Sequence, residues 1–199
     1  TASKAALGDA AMTDATHSLF IDWQKGIDNL DENNNGNKDA NDVPFIEMRP
    51  TAHGDVVHSR PIALDYGTDV NGNGKVDFAE SKVVVFYGGN DGILRAINGS
   101  RGTTFDGVSA GKEIWSFMPP EFYPYINRLR ENDAQIQFSP APSNRKPYGF
   151  DGAVTAYAER STDPVWIFAT MRRGGRAVYA FDVTAPNLQV YPAQRQCRQ

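Results

Sequence analysis

Apolar residues along the chain come in short runs, separated by polar stretches rich in Asp, Asn and Gly. Residues 1–27 read as helical: an Ala-rich start leads into Leu19, Phe20, Trp23 and Ile27, spaced as one helical face. A dense Asp/Asn/Gly loop follows over 28–44. "VVHSRPIALDY" (56–66) reads as a strand interrupted by Pro61, and a second polar loop covers 68–80. "KVVVFYGGNDGILRAING" (82–99) predicts a hairpin, because Asn-Asp-Gly accepts the positive φ that a tight turn needs. "KEIWSFMPPE" (112–121) gives a third strand, ended by two prolines. A short helix is expected within 121–132 and a polar connection over 133–148.

The pattern then returns. "FDGAVTAYAE" (150–159) has the character of the 56–66 strand, and "PVWIFATMRRGGRAVYAFDVT" (164–184) that of the 82–99 hairpin. A sheet unit repeated after about 80 residues predicts a mainly β chain. The expected architecture is a partial quinoprotein-like β-propeller of two to three blade-like units, with long insertions. A short helical lead-in occupies 1–30 and a β-propeller-type domain 31–199. Propellers close with roughly 4–8 blades, so the visible units imply a piece of a longer propeller or one completed by other elements.

Composition sharpens the reading of the loops. The chain of 199 residues holds 17 Asp against 7 Glu, with 14 Asn and 18 Gly. Asp, Asn and Gly favour turns and short chelating loops, where Glu favours helices. The net charge of −4 gives no field that would draw nucleic acid. Residues 1–110 carry net −7 and residues 111–199 net +3, so the candidate chemistry sits in the acidic half. No apolar run approaches the ~18 residues of a membrane helix. The lone Cys197 rules out an internal disulfide and a thiolate cluster. With neither an initiator Met nor a signal peptide, the N-terminus is expected to be processed or trimmed.

The two polar loops carry the sharpest signal. Residues 69–80 fill every defined position of the calcium-loop pattern D-x-[DN]-x-[DN]-G-x5-E. Asp69, Asn71 and Asn73 would present side-chain oxygens at positions 1, 3 and 5, and Gly74 makes the turn at 6. Lys75 would offer its carbonyl at 7, Asp77 stands at 9, and Glu80 closes the frame at 12. Calcium takes six to eight hard oxygen ligands, which is what such a loop concentrates. The same frame recurs as Asp31, Asn33, Asn35, Asn37 (the carbonyl position), Asp39 and Asp42, the shorter Asp42 replacing Glu at position 12. Strand-like sequence after Glu80 places these loops on a β scaffold rather than in a helix pair. Two Asn per loop keep the ligand charge low, so calcium affinity in the extracellular range of roughly 10⁻⁴ to 10⁻³ M is expected.

Other chemistry-bearing residues do not assemble in sequence. His17, His53 and His58 lack a ligand spacing, Ser59 has no nucleophile-elbow context, and Arg172, Arg173 and Arg176 read as a solvated patch beside a turn. Trp115, Phe117, Trp166 and Phe168 alternate on strands, as core residues do. No acid–base or nucleophile constellation forms, and the chain is read as a non-enzyme.

"LFIDWQKGIDNLDENNNGN", "GDVVHSRPIALDYG", "VVVFYGGNDGILRAING", "GKEIWSFMPPEFYPYINRL", "PYGFDGAVTAY" and "GGRAVYAFDVTAP" together resemble the C-terminal β-propeller of PilY1/PilC-type proteins, tip-associated adhesins and biogenesis factors of type IV pili. The resemblance covers nearly all of 17–186. It implies an extracellular or cell-surface protein that is exported through the periplasm, contacts pilins or minor pilins, supports pilus assembly and attaches to host or abiotic surfaces. It also implies calcium binding by an Asp/Asn-rich loop, which 69–80 matches. Two alternatives remain at this level. One is a fragment of a quinoprotein dehydrogenase, which would bind pyrroloquinoline quinone and usually shows a vicinal cysteine pair. The other is a propeller scaffold of outer-membrane assembly, which needs no calcium loop.

Overall fold

The structure is a computed structural model, and it describes residues 2–36, 47–132, 136–137, 144–158 and 164–185. Its contacts divide the chain into two compact units, one of Thr1–Gly54 and Met118–Pro147, the other of Asp55–Phe117 and Tyr148–Gln199.

The first unit is built on helix α1 (Asp14–Gln24). Helix is shorter here than the sequence pattern predicts. A 3-10 turn at Ala5–Leu7 stops at Gly8, whose φ of 97° is left-handed. The chain re-enters a helix only at Thr13, whose hydroxyl accepts the Thr16 amide at 3.1 Å. Leu7, Met12, Phe20 and Trp23 form a small core with Ile126 from helix α2 (Ile126–Glu131). Pro120–Tyr125 forms a 3-10 turn leading into α2, which ends at Asn132 with φ 46°. Arginines seal this core through their planes. Arg49 lies 3.8 Å from the Trp23 ring centroid and donates Nε to the Trp23 carbonyl, while Arg130 covers Phe20 and bonds Asn29 Oδ1.

The second unit holds both sheets, and all their ladders are antiparallel. Strands β1 (Ile62–Asp65), β2 (Val83–Gly88), β3 (Leu94–Asn98) and β4 (Glu113–Phe117) form a meander in the order β1-β2-β3-β4. Strands β5 (Val154–Tyr157), β6 (Trp166–Thr170) and β7 (Val178–Asp182) repeat it with three strands. The chain is therefore mainly β, with few helices, as the periodicity predicts. The 56–66 strand is trimmed to four residues, since Pro61 offers no amide to the ladder and β1 begins after it. The β2–β3 turn is the one the sequence points to. Gly89 N bonds the Ile93 carbonyl at 2.9 Å, and Gly92 supplies a φ of 84°.

Alternation sets the packing. Val84, Phe86, Leu94 and Ala96 point to one face of the first sheet, and Val154, Ile167, Ala169, Tyr179 and Phe181 to one face of the second; all are buried. Aromatic rings join the two faces: Trp115–Phe181 at 5.8 Å, Phe117–Phe181 at 5.2 Å and Phe117–Tyr179 at 5.4 Å between centroids. Each fully buried ring contributes about 1.5–3 kcal/mol. Half-buried Trp115 and Phe117 pack between the sheets, as expected of core residues, whereas Trp166 and Phe168, read as core from the same alternation, lie on the opposite face of their strand from buried Ile167 and Ala169. Gly88 lets Phe150 approach so closely that an added Cβ would overlap the Phe150 Cβ. The outward face of the second sheet is also apolar, with Tyr157 and Val178 exposed beside half-buried Trp166 and Phe168. Among the described residues, no helix is long and apolar enough to cross a membrane.

Candidate functional site

The 69–80 loop leaves the β1–β2 connection, and its base is tied by Asp65. Asp65 Oδ1 accepts the amides of Gly67 and Lys82, each at 2.8 Å, and Oδ2 accepts the Ser81 hydroxyl at 2.7 Å. Burial raises the Asp65 pKa, but these three donors outweigh it and leave the carboxyl below its ordinary 3.8.

Inside the loop each side chain predicted as a ligand folds inward. Asp69 Oδ1 accepts the Gly72 and Asn73 amides at 2.7 and 3.1 Å, and its Oδ2 the Gly74 amide at 2.7 Å. Asn71 Oδ1 accepts the Asn73 amide, and Asn73 Oδ1 the Lys75 amide. The two asparagine Nδ2 groups then converge on one atom, Asp77 Oδ2, at 2.9 and 2.6 Å. Positions 1, 3, 5 and 9 are therefore joined in one bonded set. Asn71, Asn73 and Lys75, in that order, hold the Asp77 carboxyl below 3.8. Lys75 reaches Asp77 Oδ1 with its ammonium at 3.3 Å, a contact the carbonyl role assigned to it does not foresee. Glu80 turns back into the loop: Oε1 accepts the Val70 and Asn71 amides, both at 3.0 Å, and Oε2 the Asp77 amide at 2.9 Å. The Glu80 amide in turn donates to the Asp77 backbone carbonyl at 2.9 Å, closing a turn at the end of the loop.

The second frame is built alike in its described half. Asp31 Oδ1 accepts the Asn35 amide at 2.7 Å and the Gly36 amide at 3.2 Å, and Asn33 Oδ1 also accepts Asn35 N. Asn37, Asp39 and Asp42 lie outside the described residues. A residue the twelve-position frame does not contain meets the asparagines instead. Glu47 accepts Asn33 Nδ2 at 2.6 Å and Asn35 Nδ2 at 2.8 Å on each carboxylate oxygen. It stands to Asn33 and Asn35 as Asp77 stands to Asn71 and Asn73. The loop's base is fastened by buried Asp28, whose carboxylate accepts the Glu32 amide, and by Asp28 N on the Glu47 carbonyl. No spacing rule in sequence reaches Glu47; only the antiparallel bridge Ile27–Met48 brings it back.

The donors suit a hard cation. Carboxylate and amide oxygens are the ligands calcium prefers, and an asparagine amide presents either O or N to the same point by turning over. Among the described residues, no three His, Cys, Asp or Glu form a metal-holding group. Each loop instead mixes carboxylates with amides. The histidines go elsewhere. His17 Nε2 bonds the Ala2 carbonyl, and His58 Nδ1 lies 2.9 Å from Asp151 Oδ1.

No protein-family model matches the chain, and no solved structure matches it. Curated proteins do. A type IV pilus biogenesis factor PilY1 homolog of Xylella fastidiosa is 28% identical over 201 residues, covering 93% of this chain. The type IV pilus biogenesis factor PilY1 of Pseudomonas aeruginosa is 26% identical over 190 residues, covering 80% of it. The chain is similar to PilY1-type pilus biogenesis factors. It spans 14% of the length of each of these two relatives. The likeness read from motifs such as "GDVVHSRP" and "GGNDGILRA" is thus to the same PilY1 type.

Proposed function

We propose that this chain is a calcium-binding β-propeller region of a type IV pilus biogenesis factor, acting at the cell surface or pilus tip. In this reading it contacts pilins or minor pilins and supports pilus assembly and surface attachment. One observation carries the calcium reading. Two loops far apart in sequence fold their Asp and Asn side chains in the same way, each gathering two asparagine amides on one carboxylate. Asp69, Asn71, Asn73, Asp77 and Glu80, with the Lys75 carbonyl, would hold the ion in one loop. Asp31, Asn33, Asn35 and Glu47, with the frame positions Asn37, Asp39 and Asp42, would hold it in the other. Bound calcium supplies a fixed divalent charge that cross-links the loop, and these residues orient the loop's oxygens around it. The propeller reading is supported by the repeated meander, the aromatic stacking of sheet on sheet, and the apolar outward face of the second sheet. The pilus reading is supported by the names of the relatives.

The test is elemental analysis together with thermal melting in millimolar calcium and in chelator. Binding to the folded state raises stability by RT ln(1 + [L]/Kd), and Asp69→Ala should remove most of the shift. No bound metal and no shift would end the calcium reading. Pull-down of purified pilins and minor pilins, with and without calcium, tests the pilus reading.

A further inference from the structure

A glycine that follows an asparagine leaves the asparagine side chain open to attack by its own backbone, because no Cβ keeps the glycine nitrogen from the side-chain carbonyl carbon. The chain carries this pair four times, as Asn35-Gly36, Asn71-Gly72, Asn73-Gly74 and Asn98-Gly99. In sequence the four are alike; the fold separates them. Asn98 has 0% exposure, its amide donates to the Thr103 and Val108 carbonyls at 2.9 and 2.8 Å, and its Oδ1 accepts the Ser100 amide. Gly99 N bonds the Val83 carbonyl at 2.9 Å, and Gly99 packs against Val85 and Val83. Asn35, Asn71 and Asn73 are exposed, with open space beside Gly36, Gly72 and Gly74. There the glycine nitrogen is held by the aspartate at the head of its own loop. Gly72 N and Gly74 N each lie 2.7 Å from an Asp69 oxygen, whereas Gly36 N is shared between Asp31 Oδ1 and Oδ2 at 3.2 and 3.3 Å.

We propose that Asn35, Asn71 and Asn73 are sites of spontaneous deamidation, gated by the opening of their loops, and that Asn98 is not. Water is the only co-reactant. The glycine nitrogen gives up its proton and attacks the asparagine Cγ. The new C–N bond closes a succinimide ring, the Cγ–Nδ2 bond breaks, and Nδ2 leaves as ammonia with a proton in place of that bond. Water then opens the ring at either carbonyl, giving aspartate or isoaspartate. An N–H bonded to a carboxylate has to leave it before the nitrogen can attack, so Asp69 and Asp31 set the rates through how often each loop opens. The longer bonds on Gly36 N make Asn35 the first to react. The product alters the carboxylate that gathers the amides. Conversion of Asn71 or Asn73 takes an N–H donor from Asp77 Oδ2 and puts a like charge in its place, and conversion of Asn35 does the same to Glu47. Isoaspartate also adds a methylene to the backbone, so each loop undergoes a one-way change of charge and spacing. No metal takes part in the step, which is independent of the calcium reading.

The experiment is peptide mapping by mass spectrometry of the full chain, kept for weeks in mildly alkaline buffer with chelator, beside the same chain in urea. In urea all four asparagines should convert at similar rates. In the native chain Asn98 should stay intact, and Asn35 should convert ahead of Asn71 and Asn73, all three more slowly than in urea. Asp69→Ala should speed Asn71 and Asn73 about fivefold or more, with Asn35 and Asn98 unchanged. Intact Asn98 in that variant shows that the chain is still folded. Should Asn98 convert as well, Asp69→Asn, which keeps one acceptor oxygen, is read instead and should give a smaller rise at the same two sites. Native Asn98 converting as fast as the loop sites, native loop sites intact once the urea control has converted, Asn71 or Asn73 converting ahead of Asn35, or no rise in either Asp69 variant would each overturn the proposal.

Discussion

At the scale of single residues, the acidic loops turn on which carboxylate receives the asparagine amides. Asp77 and Glu47 fill the same place, one by sequence spacing and the other by chain return. Asp77 offers a direct test. Its folded pKa lies below its ordinary 3.8 because Asn71, Asn73 and Lys75 stabilise the charged form. The stabilisation is therefore present above 3.8 and lost as pH falls through the lower folded value. A carboxyl titration followed by NMR should place the Asp77 midpoint below 3.8, and Asn71→Ala with Asn73→Ala should return it toward that value. An unshifted midpoint in the wild-type chain would contradict the bonded set. Glu47 has a test that the twelve-position frame cannot anticipate. Elemental analysis should find about one calcium fewer per chain in Glu47→Gln than in the parent, with the 69–80 loop still loaded. Unchanged stoichiometry would remove Glu47 from the ligand set.

At the scale of elements, the hairpins and their turns were legible in the sequence, because strand alternation and turn chemistry act over a few residues. "GGNDG" forms its turn and Pro61 sets the start of β1. The expected single helix over 1–27 is broken by Gly8 and restarted by the Thr13 cap, signals that outweigh the Ala-rich propensity between them. Close approaches were not legible. Gly88 is a strand residue in the pattern, yet it is the point where Phe150 presses against β2. Gly88→Ala should destabilise the chain by about 1–3 kcal/mol through overpacking, read as a lower urea midpoint. An unchanged midpoint would mean that Phe150 moves aside at no cost.

At the scale of the molecule, aromatic rings join the two sheets, beside polar contacts such as the Tyr66 hydroxyl on the Val183 carbonyl at 2.7 Å. Phe181 is 1% exposed and meets Trp115, Phe117 and Tyr179. Phe181→Ala should cost about 3–5 kcal/mol, measured by denaturant unfolding. A loss below 1 kcal/mol would show that the stacked faces contribute little. Calcium should act on the whole chain through its loops. At ten times Kd the gain is about 1.4 kcal/mol per independent site, and a chain of this size should melt roughly 3–6 °C higher for each.

Local pattern was enough to specify the mainly β character, the repeated hairpins and the two Asp/Asn frames, because propensity, turn geometry and ligand spacing act between near neighbours in the chain. Long-range meetings needed the folded chain. Residues 118–129 pack with the N-terminal helix, Glu47 returns to the 31–36 loop, and His58 meets Asp151 across 93 positions. Each of these depends on where the elements carry the backbone, and neither the spacing nor the chemistry of the residues in one segment encodes that distance.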